Sequence, residues 1–142
     1  MNAAGEKPSV YPRVLLAKSF IDSHDRAIET IAKVLRDGSM EVILLEYELA
    51  EQISAAAIQE DVDVIGVSFM SGGQVEVTRS LVSSLGDGGR PDIPIVIGGT
   101  IRPFDEPELE ASGVRAIFRG GEPLSSIVET FRALARSPDP SG

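Results

Sequence analysis

Short apolar runs rich in β-branched residues alternate along this chain with longer segments of helical period. Five runs stand out: Val14 to Ala17, Val42 to Leu45, Val62 to Ser68, Ile93 to Ile97 and Ala116 to Phe118. Nearly every position in them is apolar, the pattern of strands covered on both faces of a parallel sheet. Between the first two, Ala27, Ile28, Ile31, Ala32 and Leu35 recur at three- and four-residue spacing, which predicts a helix stopped by Gly38. A second helix is expected from Ala50 to Gln59 with Ile53, Ala56 and Ala57 on one side. A third runs from Val75 to Leu85, repeats Val77, Leu81 and Leu85, and ends at Gly86. Asp105 to Ala111 leaves room for one short helix, and a last helix begins at Pro123 and turns Leu124, Ile127, Val128, Phe131 and Leu134 inward.

Five strands alternating with helices belong to the α/β class, and right-handed crossovers lead to a doubly wound parallel sheet with helices on both faces. The expected strand order is 2-1-3-4-5, that of flavodoxin-like (Rossmann-like) folds, whose topological switch lies between the first and third strands. A ligand is therefore expected against the loops after Ala17 and Val67, with the loop after Ile97 alongside. The pattern fills one domain over residues 13–135, with flexible tails at 1–12 and 136–142 that are rich in Pro, Ser and charge.

Composition narrows the chemistry. The 142 residues carry 13 Lys plus Arg against 22 Asp plus Glu, a net charge of −9, which argues against nucleic acid or an anionic membrane as partner. The absence of Cys removes disulfides, thiol nucleophiles and Cys-ligated metals together. No apolar stretch is long enough to span a membrane and the N-terminus lacks a signal peptide's apolar block, so a cytoplasmic protein is expected. No GxGxxG follows the first strand, and neither GxxxxGK[ST] nor GxSxG is present, which leaves dinucleotide, nucleoside triphosphate and serine-hydrolase sites without their defining loops.

Three loops meet at the expected ligand end: Lys18 to Arg26, Ser68 to Gln74 and Gly98 to Arg102. The first holds His24, the sole histidine. An imidazole that ligates a metal commonly gives its other N–H to a carboxylate, and Asp22 is close enough in sequence, with Lys18 placed to keep Asp22 ionised. Equally, Asp22 or Ser23 caps the first helix, with His24 and Asp25 solvated in its first turn. Ser68 reads as a site hydroxyl or as a polar strand end. Gly98 and Gly99 read as a turn, or as a place where a bulky ligand passes close to the backbone.

Several motifs agree in order and spacing. They are Val14-Leu15-Leu16-Ala17-Lys18 followed by Asp22-Ser23-His24-Asp25-Arg26, then Ala32 to Gly38, Gln59 to Ser68, Asp92 to Gly99, and Ala111-Ser112-Gly113-Val114. Together they resemble the cobalamin-binding domain of the acyl-CoA mutases over roughly residues 13–135, and most of all the separate small subunits of the methylmalonyl-CoA and isobutyryl-CoA type. The resemblance implies adenosylcobalamin held base-off, with His24 as lower axial ligand to cobalt, Asp22 accepting its other N–H and Lys18 supporting Asp22. It implies that Ser68 faces the buried dimethylbenzimidazole and that Gly98 and Gly99 let the nucleotide tail lie against the sheet. Further cofactor contacts fall on Ser23, Asp25, Arg26, Ala27, Met70, Ser71, Gly72, Gly120, Gly121 and Glu122. Radical isomerisation of an acyl-CoA would then take place with a separate large, barrel-type subunit that binds the substrate, in a hetero-oligomer, and this chain alone would not turn over.

The chain departs from the family pattern at four places. Ala27 stands for the Gly of DxHxxG, Met70 for the Leu of SxL, Ser23 for a common Gly, and Arg119-Gly120-Gly121-Glu122 for a Gly-Pro-Gly-Thr type turn. The other readings of the same fold are a divergent corrinoid carrier or a non-catalytic binding or regulatory module. A receiver-like signalling domain would want an acidic cluster after the first strand and an acceptor Asp after the third, where Lys18 and Ser68 stand.

Overall fold

A computed structural model of the chain describes residues 11–19, 26–70 and 72–136. The five apolar runs become β1 (Arg13–Ser19), β2 (Glu41–Tyr47), β3 (Val64–Phe69), β4 (Ile95–Gly99) and β5 (Ala116–Phe118). The helices are α1 (Arg26–Asp37), α2 (Ala50–Gln59), α3 (Gln74–Asp87), α4 (Glu106–Ala111) and α5 (Leu124–Arg136), with a 3-10 turn over Pro103–Asp105. All strand pairs are parallel and the order is β2-β1-β3-β4-β5, the flavodoxin-like order that the sequence predicts.

Alternation along each strand divides the core into two layers. Leu15, Ala17, Ile65 and Ile97 face one side, where Ile53 and Ala57 of α2, Leu81 and Leu85 of α3 and Leu109 of α4 cover them. Val14, Leu16, Val64 and Val96 face the other, under Ile28, Ala32 and Leu35 of α1 and Ile127 and Phe131 of α5. Burying a Val, Leu, Ile or Phe side chain contributes roughly 1.5–3 kcal/mol, so these two layers supply most of the drive to fold.

Several boundaries differ from expectation, each for a local reason. Val62 is buried but precedes β3, because its N–H still bonds Ala57 O, closing α2 through Asp61 at φ 52°. Ile93 likewise lies before β4. Gly38 follows α1, but the left-handed residue there is Ser39 (φ 69°), while a Cβ on Gly38 would fall 2.9 Å from Arg132 Nη2. Helix α3 runs on through Gly86 to Asp87, and its C-cap is Gly88. On α3, Thr78 is buried and Val77 only partly so, and Thr78 Oγ1 finds no hydrogen-bond partner among the described residues. Strand β2 is an edge strand, so it is not covered on both faces, and Leu44 is 45% exposed. The last helix starts at Leu124, with Pro123 O accepting from Ser126 and Ile127 N–H, and Leu124 is exposed rather than inward.

At the N-terminal ends of the strands, charges pair among themselves. Arg13 donates its backbone N–H to Asp63 and its guanidinium to Glu41 and the Glu60 carbonyl, and Arg90 bridges Asp61 and Asp92. The Arg90 guanidinium bonded to it holds the Asp92 carboxyl below the usual carboxylate range.

Candidate functional site

The parallel sheet sends every βα loop to one rim, and a cavity opens below that rim on the α1/α5 side. Its volume is about 470 Å³, within the range of small-molecule and cofactor sites. Leu16, Gly66, Val67, Ser68, Val96, Ile97, Gly98 and Phe118 form the sheet wall, while Ala27, Ile28, Thr30, Ile31, Leu124, Ile127 and Phe131 form the helical wall. Met70, Gly99, Thr100 and the turn Arg119 to Glu122 complete its rim. The slot is predominantly apolar, with the Ser68 and Thr30 hydroxyls as its uncharged polar groups away from the rim.

Glycine makes room for it. A Cβ on Gly66 would fall 2.8 Å from Leu16 Cδ2 and 2.9 Å from Phe131 Cζ, so both of these cavity-lining side chains stay where they are only because position 66 has none. Gly98 is looser, its nearest neighbour being Phe118 O at 3.3 Å. Gly99 serves the protein itself: at φ 110° a Cβ would lie 2.1 Å from Phe69 O, the carbonyl that accepts Thr100 N–H. Both glycines of the pair line the cavity, and Gly99 is in addition required by the approach of Phe69.

The Arg119 to Glu122 turn is fixed by its own charges. The Glu122 carboxylate accepts Arg119 N–H at 3.0 Å and Gly120 N–H at 2.9 Å, while Gly120 and Gly121 take φ values of 99° and 86°. Those N–H groups, with the nearby guanidinium, hold the Glu122 carboxyl below its ordinary value. Arg119 Nε and Nη2 clasp both Glu106 oxygens, which tethers the turn to α4 and lowers the Glu106 pKa. The side-chain partner of Arg119 is therefore Glu106, and Glu122 binds backbone.

Of the sequence-predicted site residues, Ala27, Ser68, Met70, Gly98, Gly99, Gly120, Gly121 and Glu122 all line the cavity. Arg26 opens α1 and Gly72 (φ 102°) precedes α3, both exposed and outside the lining. Lys18 is buried at 7% exposure in a neighbouring pocket of about 140 Å³, its Nζ 3.3 Å from Glu46 Oε2. Asp22, Ser23, His24, Asp25 and Ser71 lie outside the described residues, as do residues 1–10 and 137–142. Among the described residues no group of three His, Cys, Asp or Glu side chains is placed to hold a metal, and no helix is long and apolar enough to cross a membrane. The sequence reading missed Gly66, Thr30, Phe118 and Phe131 as site residues. Gly66, an isolated glycine inside a strand, was the available signal of a close approach.

Comparison with known proteins agrees with this geometry. Residues 12–128 match the model of the B12 binding domain. The chain is 37% identical over 123 residues to the 2-hydroxyisobutanoyl-CoA mutase small subunit of Aquincola tertiaricarbonis, covering 86% of this chain and 90% of that one. It is 34% identical to the pivalyl-CoA mutase small subunit of Xanthobacter autotrophicus, covering 94% and 88%. A probable methylmalonyl-CoA mutase large subunit of Mycobacterium tuberculosis is 40% identical over 126 residues, but the match spans only 17% of its length. Among solved structures, a cobalamin-binding protein from Desulfitobacterium hafniense superposes with a TM-score of 0.72 at 18% identity, covering 88% of this chain and 60% of that one. The receiver domain of a putative response regulator from Mycobacterium tuberculosis reaches 0.68 at 15% over 89% and 98%, a likeness of fold alone.

Proposed function

The chain belongs to the B12-binding domain family, and from that premise we propose that it is the cobalamin-binding small subunit of an adenosylcobalamin-dependent acyl-CoA mutase. The observation that carries this reading is the apolar slot between the sheet and α1/α5, floored by Gly66 and Gly98 and open at the rim. An aromatic base inserted there would meet Leu16, Val96 and Phe131 along its faces, with Ser68 as a polar partner in the wall. A slot between helices and sheet fits a flat nucleotide tail, and a Cβ on Gly66 would push Leu16 and Phe131 and so narrow it.

Residues 20–25 join the end of β1 to the start of α1. Ala27 and Ile28, just after them, line the slot. In this reading His24, carried by that connection, would hold the cobalt through one ring nitrogen, and Asp22 would take the other ring N–H and so fix the tautomer. Lys18, near the end of β1, contributes positive charge that keeps Asp22 ionised. When bound, adenosylcobalamin supplies a cobalt–carbon bond whose homolysis starts radical chemistry. The protein's part is to orient the cofactor and to exclude competing reactions. The acyl-CoA is bound by a separate large subunit, and the two chains act together in the cytoplasm.

The test is spectroscopic. Titration of the purified chain with cobalamin is expected to give the base-off, imidazole-ligated absorption spectrum, and His24→Ala to lose it. Absence of binding, with or without a large subunit, would sink the reading. Isomerisation of an acyl-CoA by the reconstituted pair, and by neither chain alone, tests the reaction class.

A further inference from the structure

The rim carries two apolar side chains that the cavity does not use. Phe104 is 88% exposed and Leu49 63%, the most exposed large hydrophobic residues among those described. Both stand on braced turns. Around Phe104, Thr100 N–H bonds Phe69 O at 2.7 Å and Thr100 O accepts Gln74 Nε2 at 2.8 Å. Ile101 is buried, Pro103 opens the 3-10 turn, and the buried Asp105 carboxylate binds Arg102 at 3.1 and 3.2 Å. Around Leu49, the Gln52 side chain accepts the N–H groups of Glu48 and Leu49, and Gln52 N–H returns to Leu49 O. An exposed aromatic ring normally gains nothing from so rigid a mount. With the backbone beneath it fixed in advance, however, the ring has less freedom to lose on binding, which is how aromatic anchors come to dominate interfaces. At the opposite end of the sheet the most exposed large hydrophobic among the described residues is Tyr11, at 50%, and it stands beside charges that pair with one another.

We infer that Phe104, with Leu49, is the preformed anchor by which this chain docks the large subunit of the mutase. This rests on the reading given under Proposed function. Two observations select that occupant. The cavity opens on the rim that bears Phe104, and Glu106, two residues on, clasps the Arg119 of the cavity's own turn, so a chain acting on a cofactor held there must approach this rim. In the mycobacterial relative the matched domain is 17% of one longer chain, so there the same domain shares a polypeptide with the rest of a probable mutase large subunit.

The probe is the large subunit from the same genome that, with wild-type chain and adenosylcobalamin, isomerises an acyl-CoA. Its affinity for the chain is measured by calorimetry, alongside the isolated chain's affinity for cobalamin and its sedimentation. Phe104→Ala is expected to weaken subunit binding about thirtyfold, the size of an interface hot spot, and Phe104→Tyr to stay within about threefold of wild type. Cobalamin affinity of the isolated Phe104→Ala chain is expected to match wild type. Unchanged subunit binding would overturn the inference. So would a wild-type dimer that Phe104→Ala dissociates, which would make a second copy the occupant. A wild-type chain that binds no cobalamin, or for which no such large subunit exists, would instead overturn the functional reading and this inference with it.

Discussion

Two glycines separate what the fold needs from what the cavity needs. At Gly99 any side chain combines a left-handed φ with a Cβ 2.1 Å from a backbone oxygen, and the obstacle cannot rotate away. Gly99→Ala is expected to cost at least about 2 kcal/mol in urea unfolding, with or without ligand. At Gly66 the obstacles are the ends of Leu16 and Phe131, which can retreat into the cavity they line. Gly66→Ala should therefore cost only about 1 kcal/mol in stability, yet weaken cobalamin binding at least tenfold; equal affinity would show that the slot is not where the cofactor's tail lies. The Gly98-Gly99 pair was conspicuous in the sequence, but the role of Gly99 was not, because Phe69 approaches it from a strand thirty residues away. Gly66 carried the weaker signal and has the larger part in the cavity.

At the scale of elements, apolar runs located all five strands, the flavodoxin-like rule supplied their order, and α2 and β5 fall on the expected residues. The misplaced starts of β3 and β4 share one cause. Apolarity reports burial, and Val62 and Ile93 are buried while capping a helix or entering a strand rather than pairing within it. The turn after β5 was legible only as a charge pair, since its partners are a backbone N–H pair and a residue on α4. Its electrostatics set a pH dependence. Glu122 and Glu106 both have folded pKa values lowered from 4.5, so their stabilisation is present above that value and lost as pH falls through the lower folded values. The melting midpoint should hold between pH 8 and about 5.5, then fall, and Glu122→Gln should shed part of the acid-side slope. An identical slope in that variant would remove Glu122 from the explanation.

The molecule as a whole places paired charges at one end of its sheet, and at the other an apolar slot under a rim with two exposed hydrophobic anchors. Filling the slot joins α1 and α5 to four of the five strands, so ligand binding and folding must be linked. At a hundredfold excess over Kd the linkage is worth about 2.7 kcal/mol. Unfolding entropy scales at about 2.1 cal/mol/K per residue, or about 0.3 kcal/mol/K for this chain, so cobalamin should raise the melting midpoint by about 9 °C. Scanning calorimetry at several cobalamin concentrations measures this, and the midpoint must climb with the logarithm of concentration. His24→Ala, which keeps the slot but lacks the proposed cobalt ligand, should retain a smaller rise at the same concentration. Gly66→Ala, which keeps the ligand but narrows the slot, should also retain only part of it. If His24→Ala alone removed the whole shift while Gly66→Ala left it intact, coordination without tail burial would account for binding, and the cavity would need another occupant.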